Sequence, residues 1–287
     1  MSSHSGARRI LDPVTPSPSS TDWTAPFDDD LGDDLALALR LADAADRVSM
    51  ECFDAPDLEI KTKADATHVT EADLATERAI RDLLTAERPG DGILGEEYGT
   101  SGDTRRQWII DPIDGTANYL KGIPMWATLI ALVIDGVPRV GVVSQPAISR
   151  RWWGATGTGA WTRTPDGRTR AIRTSEVATV AEASVSFQSI GQWDAVGRTD
   201  DLLRLSRAVW RDRGYGDAWP YMLLAEGRLE FVAEFDVREY DIAAHVPIII
   251  EAGGRFTDID GEERLDARSS LATNGILHDA FLEMLRT

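Results

Sequence analysis

Apolar and polar positions along this chain follow two different periods, which predicts a mixture of helices and strands. Apolar residues recur at helical spacing from about residue 31 to Phe53 and again after Thr70. Between Gly92 and Val143, short apolar runs alternate with Gly, Pro and Asp turns, as is typical of strands. Two such runs, at residues 125–134 and 137–144, flank Asp135-Gly136 and predict a hairpin. The first half of the chain is therefore expected to contain a sheet covered by helices.

The second half also alternates helical and extended patterns, with no repeat at a fixed period. The predicted strands are residues 184–187, 229–233 and 255–259, and the predicted helices are residues 200–209, 217–226, 239–251 and 277–285. Pro247 falls within one of these helices and can bend it. This order predicts an α/β (α+β) layered sandwich, with an N-terminal lobe at residues 31–175 and a C-terminal lobe at residues 176–287. Residues 1–30 are polar and proline-rich and predict a disordered tail.

Composition narrows the classes of function. The chain has 287 residues, 43% of them hydrophobic, which is enough for a large core. Its formal net charge of -18 disfavours nucleic acid and anionic lipid as partners, and no apolar run is long enough to cross a membrane. A single cysteine, Cys52, excludes an intrachain disulfide and suits a reducing cytoplasm. We therefore expect a cytoplasmic protein that acts on a small molecule.

The stretch of residues 108–116 carries the most informative chemistry in the sequence. An apolar run ends in Asp111 and Asp114, with Pro112 between them and Gly115-Thr116 after them. Two carboxylates at the end of a buried strand repel each other unless a cation offsets their charge, and hard oxygen ligands favour Mg²⁺. Backbone N–H groups at such a turn suit a phosphate oxygen. The alternative is an ordinary Asx turn formed by the two aspartates.

Other acids along the chain add to this pattern, each with a structural alternative. Two adjacent glutamates lie in the segment Gly95–Gly99, which could equally be a solvated loop. Asp241 precedes an apolar run and could simply cap a helix. Asp73 fits a capping box with Thr70, or it could accept a hydrogen bond from the Thr116 hydroxyl and so help to activate a water.

These motifs, in this order and spacing, resemble those of the inositol monophosphatase family. The resemblance runs from about residue 31 to the C-terminus and includes residues 251–254, Glu-Ala-Gly-Gly. It implies the α-β-α-β-α sandwich of the inositol monophosphatase and fructose-1,6-bisphosphatase type, metal-dependent hydrolysis of small phosphate monoesters, and a homodimer. The apolar residues Leu129, Ile130 and Leu132 fit either a dimer face or the core. One departure is Tyr240, where the family usually has Trp before the last metal-binding aspartate.

The resemblance also implies a role for each matching residue. Two metal sites, with a third weaker ion near Glu96, would be formed by Glu96, Asp111, the Ile113 carbonyl, Asp114 and Asp241. Gly115 and Thr116 would present backbone N–H groups to the phosphate, and Asp73 with Thr116 would orient the attacking water. Mg²⁺ is the expected ion, although oxygen ligands also accept Mn²⁺.

The choice of phosphate ester is expected to depend on Asp217 and Glu234 in the second lobe. By position, both would face the leaving alcohol, and two carboxylates stabilise an ammonium or imidazolium better than a neutral polyol. Residues 122–132 and 150–153 also resemble the actinobacterial branch of the family that hydrolyses L-histidinol phosphate. That ester is the expected substrate, and inositol 1-phosphate or another small sugar or polyol phosphate is the alternative. Asp217 could instead cap the helix that begins near it.

Overall fold

The computed structural model describes residues 22–25, 27, 29–53, 60–62 and 68–286. Most of the predicted N-terminal tail lies outside the described residues. Trp23, which falls within the predicted tail, is 2% exposed, and its ring packs 6.2 Å from that of Phe256. Its backbone N–H donates to the Glu263 carboxylate over 2.6 Å. At this position, therefore, the chain is part of the folded core.

Helices and strands alternate along the described residues. In chain order they are α1 (Gly32–Cys52), β1 (Ile60–Thr62), β2 (His68–Thr70), α2 (Glu71–Glu87), β3 (Gly92–Gly95), β4 (Gly99–Ser101), β5 (Arg106–Asp114), α3 (Thr116–Tyr119), β6 (Ala127–Ile134), β7 (Val137–Gln145), β8 (Arg150–Ala155), β9 (Ala160–Arg163), β10 (Thr169–Ala171), β11 (Ser184–Phe187), α4 (Ile190–Ala195), α5 (Thr199–Ala208), β12 (Arg211–Arg213), α6 (Trp219–Ala225), β13 (Phe231–Phe235), α7 (Glu239–Ile242), α8 (His245–Glu251), β14 (Arg255–Thr257), β15 (Ser269–Thr273) and α9 (His278–Arg286).

Two large sheets organise this part of the chain. The first has eight strands in the order β10-β9-β8-β7-β6-β5-β3-β4, and only β3 and β5 are parallel neighbours. The second has five strands in the order β12-β11-β13-β15-β14, and β11 is parallel to both of its neighbours. The first sheet ends at residue 171 and the second begins at residue 184.

Helices cover both faces of each sheet, and the two sheets share the helical layer between them. Ile110 on β5 packs against α1 and α2, whereas its neighbour Ile109 faces the layer that contains α6 and α8. Val232 on β13 faces this same layer, and Phe231 faces α4, α5 and α9 on the outer side. The predicted α-β-α-β-α sandwich is thus confirmed.

Several local predictions differ from the structure. The helix predicted over residues 239–251 is two helices, α7 and α8, separated by Ala243-Ala244. Pro247 is the third residue of α8, in the first turn, where a backbone N–H has no partner within the helix, so proline is tolerated there. The sequence analysis missed β15, because its Ser269-Ser270 start and Thr273 end lack an apolar alternation.

Apolar residues that the sequence left ambiguous lie in the core. Leu129, Ile130 and Leu132 are fully buried on β6, so the core alternative is correct and they form no dimer face. Trp126 and Trp152 are also buried. Among the described residues, no helix is both long enough and apolar enough to cross a bilayer.

Candidate active site

The site forms where β3 and β5 end side by side. Because these strands are parallel, their carboxyl ends lie at the same edge of the sheet, and the Glu96 N–H donates to the Ile110 carbonyl over 3.1 Å. This bond brings Glu96 next to Asp111. The register of β5 against β6 then shifts between Asp111 and Asp114. The Thr128 hydroxyl donates to the Pro112 carbonyl over 2.8 Å and fixes this turn.

The acids predicted from separate parts of the chain converge at this edge. Burial raises the pKa of Asp111 well above its usual range, and the charges of Glu96, Asp114, Asp241 and Asp73 raise it further. Such charge effects act over short distances, so these five carboxylates occupy one region. The loop of Glu96, the turn of Asp114 and the short helix of Asp241 are therefore brought together, as the resemblance implied.

Negative charge continues from this cluster to Asp217 and Glu234. Burial raises the pKa of Asp114 well above its usual range. The negative charges of Asp217 and Asp241 raise it further, and that of Glu234 does so more weakly. The pKa of Glu234 rises to about 8, first because of burial and then because of the Asp217 and Asp241 charges. Burial also raises the pKa of Asp241 to about 7, although the Arg238 N–H and guanidinium act in the opposite direction. The charge of the site is mostly uncompensated.

This donor set fits a hard divalent cation in its chemistry. The donors are carboxylate and carbonyl oxygens, and the burial and mutual repulsion that raise the pKa of Asp111, Asp114 and Asp241 are what a bound cation would offset. Asp111, Asp114 and Asp241 each accept one backbone N–H, from Ile113 (3.0 Å), Ala218 (2.6 Å) and Arg238 (2.6 Å) respectively. A carboxylate with one such bond keeps lone pairs for a metal. As these side chains are placed, no group of three or more His, Cys, Asp or Glu in the described ranges is arranged to hold a metal ion.

Asp73 completes the predicted capping box, and it also lies near the Thr116 hydroxyl. Its Oδ2 accepts hydrogen bonds from the Thr70 N–H (2.7 Å) and hydroxyl (2.6 Å), which completes the capping box of α2. Its Oδ1 lies 3.5 Å from the Thr116 hydroxyl oxygen, which is also 3.1 Å from the Ile113 carbonyl. The single hydroxyl proton of Thr116 can be donated to either acceptor.

Asp241 is not the N-cap of a helix. It is the third residue of α7, and Arg238 is the N-cap. The side chain of Asp241 accepts the Arg238 N–H, so the carboxylate stabilises the start of the helix from within its first turn.

Gly115 lies where the turn that follows Asp114 approaches Asp217. Its φ of 88° is in the left-handed region, which favours glycine. A Cβ at this position would lie 3.1 Å from both the Asp217 Oδ2 and the Met125 carbonyl. Gly115 therefore permits a close approach between the turn that follows Asp114 and the carboxylate of Asp217.

Asp217 is held in place by two side-chain amides. Its Oδ2 accepts from the Asn118 amide over 2.8 Å, and its Oδ1 accepts from the Gln188 amide over 3.0 Å. The Asp217 N–H donates to the Gln188 Oε1 over 2.8 Å, and its φ is 51°. The alternative that Asp217 caps α6 is wrong, because Ala218 is the N-cap and its N–H donates to Asp114.

Asn118 and Gln188 were missed by the sequence analysis. Asn118 lies in α3, directly after the aspartate motif, so its proximity to the motif could have suggested it. Gln188 follows β11 and is 29 residues from Asp217, and no local pattern connects the two.

Glu234 lies on β13 and is buried, at 5% exposure. Its Oε1 has no hydrogen-bond partner among the described residues, whereas the Tyr221 hydroxyl binds the carboxylate and moderates its raised pKa. The His245 ring stacks against the Tyr221 ring, and the two ring centroids are 4.4 Å apart. Burial lowers the pKa of His245 to about 3, so the ring is neutral and supplies no charge to Glu234.

A groove of about 590 Å³ is lined by residues of β3, β5 and β6 and by the segment of residues 262–266. Its lining includes Leu94, Ile109 and Val133, and Glu239 from α7. None of the predicted site residues lines it.

Comparison with known proteins gives a consistent result. The sequence model of the inositol monophosphatase family matches residues 31–287. The chain is 50% identical over 254 residues to a histidinol-phosphatase of Mycobacterium tuberculosis, covering 88% of this chain and 98% of that protein. It is 47% identical over 257 residues to a histidinol-phosphatase of Streptomyces coelicolor, covering 88% of this chain and 97% of that protein.

A solved structure shares the fold. An inositol monophosphatase from Zymomonas mobilis superposes with a TM-score of 0.78 at 34% identity, covering 91% of this chain and all (100%) of that one. The family match, the sandwich and the converging acids agree with one another. The chain belongs to the inositol monophosphatase family.

Proposed function

We propose that this protein hydrolyses L-histidinol phosphate to L-histidinol and phosphate, using Mg²⁺. The relatives that bear the name histidinol-phosphatase are similar over most of their length. The observation that carries the choice of ester is a pair of carboxylates, the partly buried Asp217 and the buried Glu234, beside the turn that follows Asp114. The charge of Asp217 raises the pKa of Glu234, so the two side chains act on the same region.

The chemistry of the pair favours a cationic alcohol. Histidinol carries an amine and an imidazole, and either cation would offset the buried negative charge and supply donors to carboxylate oxygens. The unpartnered Oε1 of Glu234 offers one such acceptor. A neutral polyol gains less at this position, because hydroxyl groups leave the charge uncompensated.

We assign the metal ligands as Glu96, Asp111, the Ile113 carbonyl, Asp114 and Asp241, for two or three Mg²⁺, with Mn²⁺ as an alternative ion. When bound, these ions would neutralise charge on the phosphate oxygens and lower the pKa of a bound water.

The remaining steps use residues of the chain itself. Gly115 and Thr116 present backbone N–H groups to the phosphate oxygens. The Thr116 hydroxyl accepts a hydrogen bond from the attacking water while donating its own proton toward Asp73, which lies 3.5 Å away. The water oxygen forms the new bond to phosphorus while one water proton passes to the Thr116 hydroxyl and the hydroxyl's own proton passes to Asp73. The ester P–O bond breaks, and the departing alkoxide takes a proton from solvent and leaves as the alcohol toward Asp217 and Glu234.

We further propose a cytoplasmic homodimer. The family resemblance supports the dimer, and the single cysteine supports a reducing compartment. Light scattering on the purified protein tests the dimer, and a mass of one chain would contradict it.

The main experiment compares kcat/KM for histidinol phosphate and inositol 1-phosphate, with and without excess chelator. We expect a higher value for histidinol phosphate and loss of both activities in chelator. A higher value for the inositol ester would refute the assignment of substrate, and full activity in chelator would refute the metal dependence.

Asp217→Asn tests the role of the carboxylate pair. The asparagine amide also meets the donors of Asn118 and Gln188, so some general disturbance is expected. We therefore measure the KM of the same variant for histidinol phosphate and for glycerol phosphate. A general disturbance raises both KM values alike, so it cancels in their ratio. The KM for histidinol phosphate should rise about tenfold more than that for glycerol phosphate, as expected from loss of one charged hydrogen bond. The control is Asp166→Asn, which removes an exposed charge far from the site. Equal effects on both esters would contradict the proposal.

A further inference from the structure

Helix α2 carries a second buried acid that the proposed mechanism does not use. Glu77 lies one helical turn after Asp73, on the same face, and both are fully buried. Asp73 contacts Thr116. A buried carboxylate is costly unless it is hydrogen-bonded, so the partners of Glu77 indicate what it does.

Glu77 binds the backbone of the turn that carries Glu96. Its Oε2 accepts the Glu97 N–H over 2.7 Å, and its Oε1 accepts the Tyr98 N–H over 3.3 Å. The Arg81 Nε donates to Glu77 Oε1 over 2.6 Å and compensates its charge. The carboxylate thus accepts hydrogen bonds from the backbone of the two residues that directly follow Glu96.

Arginines of α2 hold the same turn from the side. The Arg81 guanidinium also donates to the Gly99 carbonyl and, over 3.2 Å, to the Ser101 hydroxyl. The Arg78 guanidinium donates to the Tyr98 hydroxyl over 2.8 Å. The turn that contains Glu96 is therefore fixed to α2 at several points, through Glu77, Arg78 and Arg81.

The residue before Glu96 shows how closely the turn approaches this carboxylate. A Cβ at Gly95 would lie 1.9 Å from Glu77 Oε1 and 2.3 Å from its Cδ, which no side chain can tolerate without movement. The backbone at Gly95 therefore rests directly on the Glu77 carboxylate, and a glycine is needed for this contact.

We propose that Glu77 is a positioning residue that fixes Glu96 for metal binding. The proposal rests on the metal role of Glu96 in the proposed function. Helix α2 would thus set the positions of two parts of the site, since Asp73 contacts Thr116 and Glu77 binds the turn that contains Glu96. A purely structural role for Glu77 would affect stability without a specific effect on metal affinity.

The test is calorimetric titration of Mg²⁺ into the full-length protein without substrate. In Glu77→Gln, one carboxylate oxygen is replaced by an NH₂ group. This donor would face another donor, either a backbone N–H of the turn or the Arg81 guanidinium, so at least one hydrogen bond to the turn or to Arg81 is lost. We expect Mg²⁺ to bind about tenfold more weakly, as is typical when a group that orients a metal ligand is changed. The kcat at saturating Mg²⁺ should stay within about threefold of wild type, because the ligands themselves remain. The control is Glu87→Gln on the same helix, where the exposed Glu87 pairs with Arg40.

A second variant, Arg81→Lys, covers the case in which Glu77→Gln does not fold. Lysine keeps the charge but loses the fork that joins Glu77 to Gly99, so Mg²⁺ affinity should again fall while Glu87→Gln binds as wild type does. Wild-type Mg²⁺ affinity in a folded Glu77→Gln, or in Arg81→Lys when the former is unfolded, would overturn the proposal. A wild-type protein that binds Mg²⁺ without hydrolysing histidinol phosphate would refute only the proposed substrate, because the titration needs no turnover.

Discussion

Replacing Glu234 with glutamine should stabilise the metal-free protein at alkaline pH. The carboxylate is buried on β13, and burial with the charges of Asp217 and Asp241 raises its pKa from 4.5 to about 8. A group whose pKa is higher in the folded state favours folding while it is protonated. Its contribution is fully present below about pH 4.5 and is lost as the pH rises through about 8.

The magnitude follows from the difference between these two pKa values. That difference of about 3.5, at about 1.4 kcal/mol for each pKa unit, sets an upper bound of about 5 kcal/mol on the free energy lost by ionising Glu234. Glutamine stays neutral, but it can weaken the hydrogen bond with Tyr221, which is worth about 1 kcal/mol. We expect Glu234→Gln to be more stable than wild type by about 2 to 4 kcal/mol at pH 8.5, and nearly equal at pH 5.

The assay is urea unfolding in EDTA at pH 5, 7 and 8.5, followed by fluorescence. Other raised acids, including Asp241 with a pKa of about 7, also make the wild-type stability fall with pH, so only the difference between the proteins is assigned to Glu234. Parallel curves for the two proteins across this range would refute the reasoning, because Glu234 would then titrate alike in the folded and unfolded states.

Two further predictions concern the Thr116 hydroxyl, which we propose activates the water, and the N-terminal segment. Thr116→Val keeps the shape of the side chain and removes the hydroxyl that lies 3.5 Å from Asp73, so kcat should fall by about 10² or more with little change in KM; an unchanged kcat in steady-state assays would exclude a role for the hydroxyl. Trp23→Ala removes a ring that is 2% exposed, so the free energy of unfolding by urea should fall by about 2 to 4 kcal/mol while kcat is retained; full stability would show that this contact contributes little.

The sequence predicted the elements with strong periodicity and the residues with distinctive chemistry. The hairpin of β6 and β7 was expected because apolar runs flank Asp135-Gly136, a pair suited to a tight turn. The gathering of Asp73, Asp111 and Asp241 was also expected, although only by way of the family resemblance. Nothing in local pattern says that acids distant in sequence meet.

The missed features depend on tertiary contacts. Strand β15 is buried although its sequence is rich in Ser and Thr, because it lies between β13 and β14 in the second sheet and its polar groups find partners there, such as Ser270 with Tyr221 at 2.6 Å. Trp23 lies in a polar, proline-rich stretch and is buried because Phe256 and Glu263 approach it from the other end of the chain. Gln188 could be identified only once Asp217 was seen beside it.

The two ends of the proposed substrate site are joined directly, which limits the length of substrate that it accepts. Asp114, which precedes the proposed phosphate-binding turn, accepts the N–H of Ala218 over 2.6 Å, and Gly115 rests against Asp217. The spacing between the phosphate position and the carboxylate pair is therefore set by close contacts rather than by a hinge. In histidinol phosphate, two carbons separate the amine from the ester oxygen, as in phosphoethanolamine.

An ester with one more methylene, 3-aminopropyl phosphate, cannot place both its amine and its phosphorus correctly in a site of fixed spacing. Its kcat/KM should therefore be about 10- to 100-fold lower than that of phosphoethanolamine, because misplacing the reacting group by about 1 Å is costly. Ethyl and propyl phosphate are the matched controls, since they differ by the same methylene but carry no amine, and they should differ little from each other. Equal kcat/KM for the two amines would show that the carboxylate pair does not measure the distance from phosphorus to the cation.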